Sequence, residues 1–303
     1  MSRYIITADW HLRSQRPRCR LDEDWIKTQK NALNQIAKYA RENEADVIVI
    51  GDIFHSTNET TNEIIGLVQE LAAQLFEECG KSLYILAGNH DLPQHNLDNI
   101  HRSAFNILIN SKNIFHIDKL QINNNYVSGS DYGADDDGEV SIVFKHILCF
   151  PENEKLPPNN KIVKPSELLK QLPNAKYIFT GDYHRYFYFT KNKRALLNPG
   201  CLLRQAADMI DYNTVVVLID FNGDTKNELT HSVLPIVDDE KMVTDEYIEN
   251  EVMRNSRIEA FIERIKENEH VTFDFIDNVH NMMKNNKIEN NVKDIILELM
   301  EQT

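Results

Sequence analysis

The sequence predicts an α/β layer fold, and three observations carry that expectation. Short β-branched and aliphatic runs alternate with longer amphipathic stretches through the first two thirds of the 303 residues. The short runs are apolar at nearly every position, as in strands covered on both faces. Polar residues able to bind metal follow these runs at once instead of lying within them.

The strands are expected at Tyr4–Thr7, Val47–Ile50, Leu83–Leu86, Val140–Phe144 and Tyr177–Thr180. Between them, Asp24–Glu42 places Ile26, Leu33, Ile36, Ala37 and Ala40 on one helical face, and Ile64, Leu67, Val68, Leu71 and Leu75 repeat the pattern. A third helix is expected from Leu97 to Asn110. The Asn-rich, Gly-containing stretch 123–138 reads as hairpin connections, with Asp135, Asp136 and Asp137 as a solvated loop. Pro151–Pro165 reads as a long loop, and further strands are expected at Phe187–Phe189, Thr214–Asp220 and Glu228–Leu234. Beyond Asp238 the pattern turns to charged helix, with one apolar stripe at Ile258, Phe261, Ile262 and Ile265 and another at Val292, Ile295, Ile296 and Leu299. The expected division is therefore a catalytic domain over 1–237 and a small C-terminal helical appendage over 238–303.

With 47 Asp and Glu against 33 Lys and Arg, the chain carries a formal charge of −14. That excludes a protein that coats nucleic acid through bulk electrostatics, so a polyanionic substrate requires local positive charge. Four scattered cysteines, without a C-x-x-C pair, suggest neither a zinc ribbon nor a disulfide framework. The sequence shows no signal-peptide core and no apolar run near about 18 residues, so a cytoplasmic protein without a membrane partner is expected.

The functional signal lies after the strands. In order come Asp9-Trp10-His11, Gly51-Asp52-Ile53-Phe54-His55, Gly88-Asn89-His90-Asp91, His146, and Gly181-Asp182-Tyr183-His184. Ligands of open α/β sheets bind outside the carboxyl ends of strands, so these segments can converge on one site. Asp9, His11, Asp52, Asn89, His146, Asp182 and His184 offer carboxylate, amide and imidazole donors and no thiolate, a set suited to divalent ions such as manganese. Seven donors exceed the needs of one ordinary site, and two ions sharing a bridging carboxylate fit better. His90 is left over as a general acid, with Asp91 beside it to fix its tautomer. Gly51, Gly88 and Gly181 sit where buried strands must turn sharply beside the metals. His95, His101 and His116 lack such placement and read as surface or structural residues. His55 either borders the site or caps the helix that begins near Thr60.

This order of motifs resembles the calcineurin-like metallophosphoesterase superfamily, and the G-D-I-F-H and G-N-H-D segments look most like its SbcD branch. That branch contains the double-strand-break nuclease called meiotic recombination eleven and large-phage relatives. The resemblance spans residues 3–235 and implies a two-sheet β-sandwich flanked by helices. It also implies Asp9, His11, Asp52 and His184 around one metal; Asp52, Asn89, His146 and Asp182 around the second; and His90 as the catalytic histidine. Manganese is the implied ion, with magnesium as the alternative. Further implications are a DNA nuclease acting in repair or recombination, a homodimer and an SbcC-type ABC ATPase partner. Asn198-Pro199-Gly200, with Arg204, resembles the family's turn beyond the last motif, which shapes the site wall. The last motif itself departs from the family's usual G-H-x-H, because Asp182 replaces its first histidine.

Ile100, Ala104, Phe105 and Leu108 could form a dimer seam or ordinary core, and the C-terminal stripes could grip a partner or pack on the domain. For DNA, Arg13, Arg16, Arg18 and Arg20 follow the first ligand motif directly, with phosphate contacts as the functional reading and pairing to Asp22, Glu23 and Asp24 as the structural one. His55 and Arg204 complete the expected DNA-contacting set. Two other readings stay open: a small-molecule phosphodiesterase or phosphoprotein phosphatase, and a structural subunit whose site has decayed at Asp182.

Overall fold

Two six-stranded sheets pack face to face. The first runs, in spatial order, β12 (Thr230–Pro235), β11 (Val215–Phe221), β1 (Ser2–Thr7), β2 (Ala45–Ile50), β3 (Leu83–Leu86) and β4 (Ile114–His116). The second runs β5 (Lys119–Ile122), β6 (Asn125–Ser130), β7 (Ile142–His146), β8 (Tyr177–Gly181), β10 (Arg194–Asn198) and β9 (Phe187–Lys191). In the computed structural model the described residues are 2–117, 119–122, 125–134, 140–155, 162–221, 229–238, 242–246, 248, 279 and 283.

Strand alternation assigns each face. Tyr4, Ile6, Ile48, Ile50, Phe144, Phe179 and Leu197 point into the space between the sheets, where the Phe144 and Phe179 rings stack 4.9 Å apart. Their neighbours Ile5, Val47 and Val49 face the other way, under the helices α1 (Trp25–Asn43) and α2 (Asn62–Cys79). Val143, Ile178 and Leu196 do the same beneath α4 (Pro165–Gln171). This double burial explains the continuous apolar runs. Asp24 caps α1 by accepting the Lys27 amide at 2.9 Å, and Gly80 ends α2 in a left-handed turn at φ 64°.

The third helix differs from expectation. A 3₁₀ turn covers Leu97–Arg102, and α3 is only Ala104–Ile109. Ser103 separates them because its extended backbone lets Oγ accept the Asn106 amide at 3.3 Å, starting a new helix. Of the two readings of Ile100, Ala104, Phe105 and Leu108, the structure realises core packing: Phe105 and Leu108 are wholly buried, and Ile100 and Ala104 pack against the core. The exposed apolar side chain of α3 is Ile107. β7 begins two residues later than expected, so His146 is its final residue.

The chain divides into compact units at Met1–Asp245 and Glu246–Thr303. The Asp135–Asp137 run and both C-terminal stripes lie outside the described residues. Among the described residues, no helix is long and apolar enough to cross a membrane, and Cys19, Cys79, Cys149 and Cys201 are free thiols.

Candidate metal centre

The loops leaving β1 and β2 are zipped together by their backbones. Asp9 N–H donates to Gly51 O at 3.1 Å, His11 N–H to Asp52 O at 2.9 Å and Leu12 N–H to Ile53 O at 2.9 Å. Two glycines make the close approach feasible. Gly51 has φ 74°, and a Cβ there would lie 2.2 Å from His146 Nδ1. A Cβ at Gly88 would lie 2.0 Å from Asp52 Oδ1. Asp9, His11, Asp52 and Asp182 themselves hold left-handed backbones, at φ 49°, 45°, 52° and 84°. Such strain on four polar residues in one site is the kind that functional geometry sustains.

Asp52 sits at the centre and is 1% exposed. Its Oδ2 lies 3.7 Å from His11 Nε2, and its Oδ1 lies 3.5 Å from His146 Nε2. His11 Nε2 in turn lies 3.1 Å from His184 Nε2, and His146 Nε2 lies 3.1 Å from Asn89 Oδ1. The carboxylate therefore joins two donor groups. Three clusters among the described residues have metal-ligating spacing: Asp9 with His11 and His184, Asp9 with Asp52 and His146, and His11 with His55 and His90. His146 Nδ1 donates to Ile50 O at 2.9 Å, turning Nε2 toward the site. Asp182 anchors here through its backbone, its N–H donating to both Asp9 oxygens at 3.0 and 3.1 Å.

The donor set fits divalent cations. Asp52 Oδ2 and His11 Nδ1 are buried with no hydrogen-bond partner, although such atoms ordinarily find one. Burial raises the Asp9 carboxyl well above its ordinary range, despite opposition from His146, and Asp52 and Asp182 add to the rise. Burial also raises Asp182. Burial opposes a proton on His146, yet Asp52 with Asp9 and Asp182 raises its pKa well above the ordinary value. Carboxylates this crowded call for positive charge between them.

His90 and Asp91 divide their duties in a way that corrects one expectation. Asp91 does not orient the His90 ring. It is buried, and its carboxylate accepts the amides of Ile53, Phe54 and Gly88 at 3.2, 2.9 and 2.9 Å, stapling the second and third ligand loops. Burial beside Asp52 pushes Asp91 up to about 7. The His90 ring is fixed by the His55 carbonyl, which accepts Nδ1–H at 2.5 Å, and Asp52 Oδ1 accepts the His90 backbone amide at 2.9 Å. His55 stacks on His90 with centroids 5.7 Å apart, so it borders the site. Burial, with Arg13 and His90 nearby, lowers His55 to about 4, making it neutral at pH 7.

The arginines separate into two groups. Arg16 and Arg18 are exposed, while Arg13 is largely buried and pairs with Glu59 at 3.7 Å. Arg20 and Arg204 are not DNA contacts. Arg20 is 1% exposed and bonds Asp22 at 2.7 Å and Asp238 at 2.7 Å, and Arg204 reaches Asp238 at 3.0 Å. This buried network ties the arginine loop to the segment after β12, where Leu21 N–H also donates to Met242 O at 2.9 Å. Arg20→Ala takes one partner from each of two buried carboxylates, leaving Asp22 with the Thr28 hydroxyl and Asp238 with Arg204, and is expected to lower stability by about 3 kcal/mol, measured by urea unfolding.

Two residues that support the site carry no signal of that role in the sequence. His95 Nδ1 donates to Asn89 O at 2.7 Å. Asp131 accepts the Ala87 amide at 2.7 Å. Asn198, in the N-P-G turn, is the visible case: its Nδ2 donates to the carbonyls of Tyr183 and Arg185 at 2.5 and 2.9 Å, bracketing His184.

The SbcD component of an SbcCD nuclease from Staphylococcus epidermidis is 33% identical over 87 residues, 29% of this chain and 22% of that relative. The match thus spans about a fifth of the relative's length. Among solved structures, a dimetal phosphatase from Danio rerio has a TM-score of 0.49 at 10% identity, covering 78% of this chain and 97% of that one. An archaeal phosphodiesterase has a TM-score of 0.39 at 12% identity, covering 77% and 99%. The family model for calcineurin-like phosphoesterases matches residues 2–197. With the ligand loops of β1, β2, β3, β7 and β8 all inside that span, the chain belongs to the calcineurin-like phosphoesterase family.

Proposed function

We propose that this phosphoesterase is a DNA nuclease, hydrolysing phosphodiester bonds at ends or in single strands with two divalent ions, manganese foremost. The observation that carries the two-ion reading is Asp52, whose oxygens face separate donor groups at 3.7 and 3.5 Å. His11, His184 and Asp9 would hold one ion, His146, Asn89 and Asp182 the other, and Asp52 both. When bound, such a pair polarises a phosphoryl group and lowers the pKa of water. The remaining chemistry belongs to His90. With Nδ1–H committed to the His55 carbonyl, Nε2 is the ring atom left for the leaving oxygen, and it would give its proton from the imidazolium form, leaving the neutral Nδ1–H ring.

The nuclease reading draws on the local likeness to the SbcD relative and on exposed Arg16 and Arg18 beside the first ligand loop. Within it, the partners are DNA and an SbcC-type ATPase, in the setting of DNA repair or recombination in the cytoplasm. The homodimer would join through the outer face of α3 at Ile107, and residues 238–303 would form the partner-binding region.

The test is hydrolysis of labelled linear duplex, single-stranded DNA and a generic phosphodiester with manganese, alone and with an SbcC-type ATPase. Cleavage of only the generic ester favours a small-molecule phosphodiesterase and rejects the nuclease. Arg16→Ala with Arg18→Ala is expected to weaken DNA binding and flatten the log K against log [salt] slope by about 1–2. An unchanged slope removes this loop from the DNA-binding surface.

A further inference from the structure

The loop carrying Asn89 and His90 is held largely by carboxylates accepting its amides. Asp91 accepts from Gly88, and Asp52 accepts from His90. Both lie within the site: Asp52 faces both donor groups, and Asp91 belongs to the loop itself. A further anchor comes from elsewhere. Asp131, immediately after β6 in the other sheet, accepts Ala87 N–H through Oδ1 at 2.7 Å, and Tyr132 N–H returns a bond to Ala87 O at 2.9 Å.

Asp131 is 8% exposed, and a carboxylate buried there would be costly without a second partner. His116, the last residue of β4, supplies one. Its Nε2 lies 3.0 Å from Oδ1 and 2.9 Å from Oδ2, and its ring meets Phe105 edge to face at 5.5 Å. Phe105 is wholly buried, so the histidine rests on rigid core. The residue after Asp131 reaches the same donor group as Asn89, where the Tyr132 ring lies 6.3 Å from that of His146.

From this geometry we propose that Asp131, oriented by His116, is a positioning residue for hydrolysis, fixing the strand end that aims Asn89 and His90. The proposal rests on the assignment of Asn89 to the second ion and His90 to proton transfer. It acts through the backbone two residues before Asn89, so its effect falls on one donor group. The other group is formed by Asp9, His11 and His184, on the loops after β1 and β8, which Asp131 does not touch among the contacts described above.

The test uses the full chain with Asp131→Ala, Asp131→Asn, His116→Ala and His116→Gln. Manganese binding is followed by electron paramagnetic resonance of the free ion, hydrolysis with bis-(p-nitrophenyl) phosphate, and folding by circular dichroism. Asp131→Ala is expected to weaken the second manganese about 10–100-fold and lower kcat by a similar factor, with KM little changed. Asp131→Asn is expected to restore most of both, since its Oδ1 still accepts from Ala87 while its amide can face His116. His116→Ala is expected to show a milder form of the same defect and His116→Gln to relieve it. A lowered melting temperature with wild-type manganese affinity and wild-type kcat per folded molecule would make the pair merely structural and overturn the proposal. If Asp131→Ala does not fold, the two His116 variants decide by the same readouts. If the wild-type chain hydrolyses no ester, the catalytic assignment of His90 fails, and the manganese titrations still decide whether Asp131 positions the loop.

Discussion

His90→Asn is expected to lower kcat by about 10²–10⁴-fold while leaving two manganese ions bound. The separation follows from which atoms of His90 do what. Its backbone amide, not its ring, donates to Asp52, so asparagine keeps that link to the central carboxylate. Its ring is partly exposed, so removing it creates no core cavity. What is lost is the Nε2 proton, held in register by Nδ1–H donation to the His55 carbonyl. An interaction made only in the transition state lowers kcat and kcat/KM together, and that pattern with bis-(p-nitrophenyl) phosphate is the expected result. A competing arrangement exists, because His11, His55 and His90 also have metal-ligating spacing. If His90→Asn loses an ion in a manganese titration, His90 is a ligand and its role as proton donor is wrong.

The candidate donors were legible in the sequence because polar residues that follow buried strands interrupt an otherwise apolar pattern. Asp9, Asp52, Asn89 and Asp182 could be read this way, and Gly51 and Gly88 marked where backbones approach closely. Strand parity was legible for the same reason, although which apolar face meets the second sheet depends on pairing that the chain alone does not display. For Arg20 the structural reading, pairing with Asp22, is the one the fold realises at 2.7 Å, while its second partner, Asp238, lies 218 residues away, beyond what a local run displays. A basic run next to a site looks alike whether its charges meet phosphate or distant carboxylates. Asp91 misled through adjacency: the 3₁₀ turn at Asn89–Asp91 sends the carboxylate inward to three amides while the His90 ring faces the site. Left-handed backbones at non-glycine ligands leave no trace in composition, so the strain at Asp9, His11, Asp52 and Asp182 appears only in the fold.

Asp52→Asn is expected to abolish the response to manganese and to leave the metal-free protein folded but somewhat less stable than wild type. Asparagine matches aspartate in shape, tolerates the left-handed backbone at φ 52°, and keeps an Oδ1 to accept the His90 amide. It removes one negative charge from a buried site shared with Asp9 and Asp182, but that charge faces His146 at 3.5 Å. Against the cost of burial, His146 with His11 and His90 holds the Asp52 carboxyl well below its ordinary range, so the metal-free protein loses a favourable pairing. With manganese present the difference should widen. An ion at about 100 times its dissociation constant stabilises the folded chain by about 2.7 kcal/mol, or about 5–10 °C in Tm for a domain of this size. Wild type should show that rise and lose it to a chelator. The variant, lacking the oxygen that joins the two donor groups, should show little rise and at least about 100-fold weaker hydrolysis, the scale of losing one fixed electrostatic group. Thermal melts of both proteins with chelator and with manganese check this directly. A full manganese-induced rise in Asp52→Asn, with activity retained, would mean that the carboxylate does not bridge two ions and that the site works around a single one held by Asp9, His11 and His184.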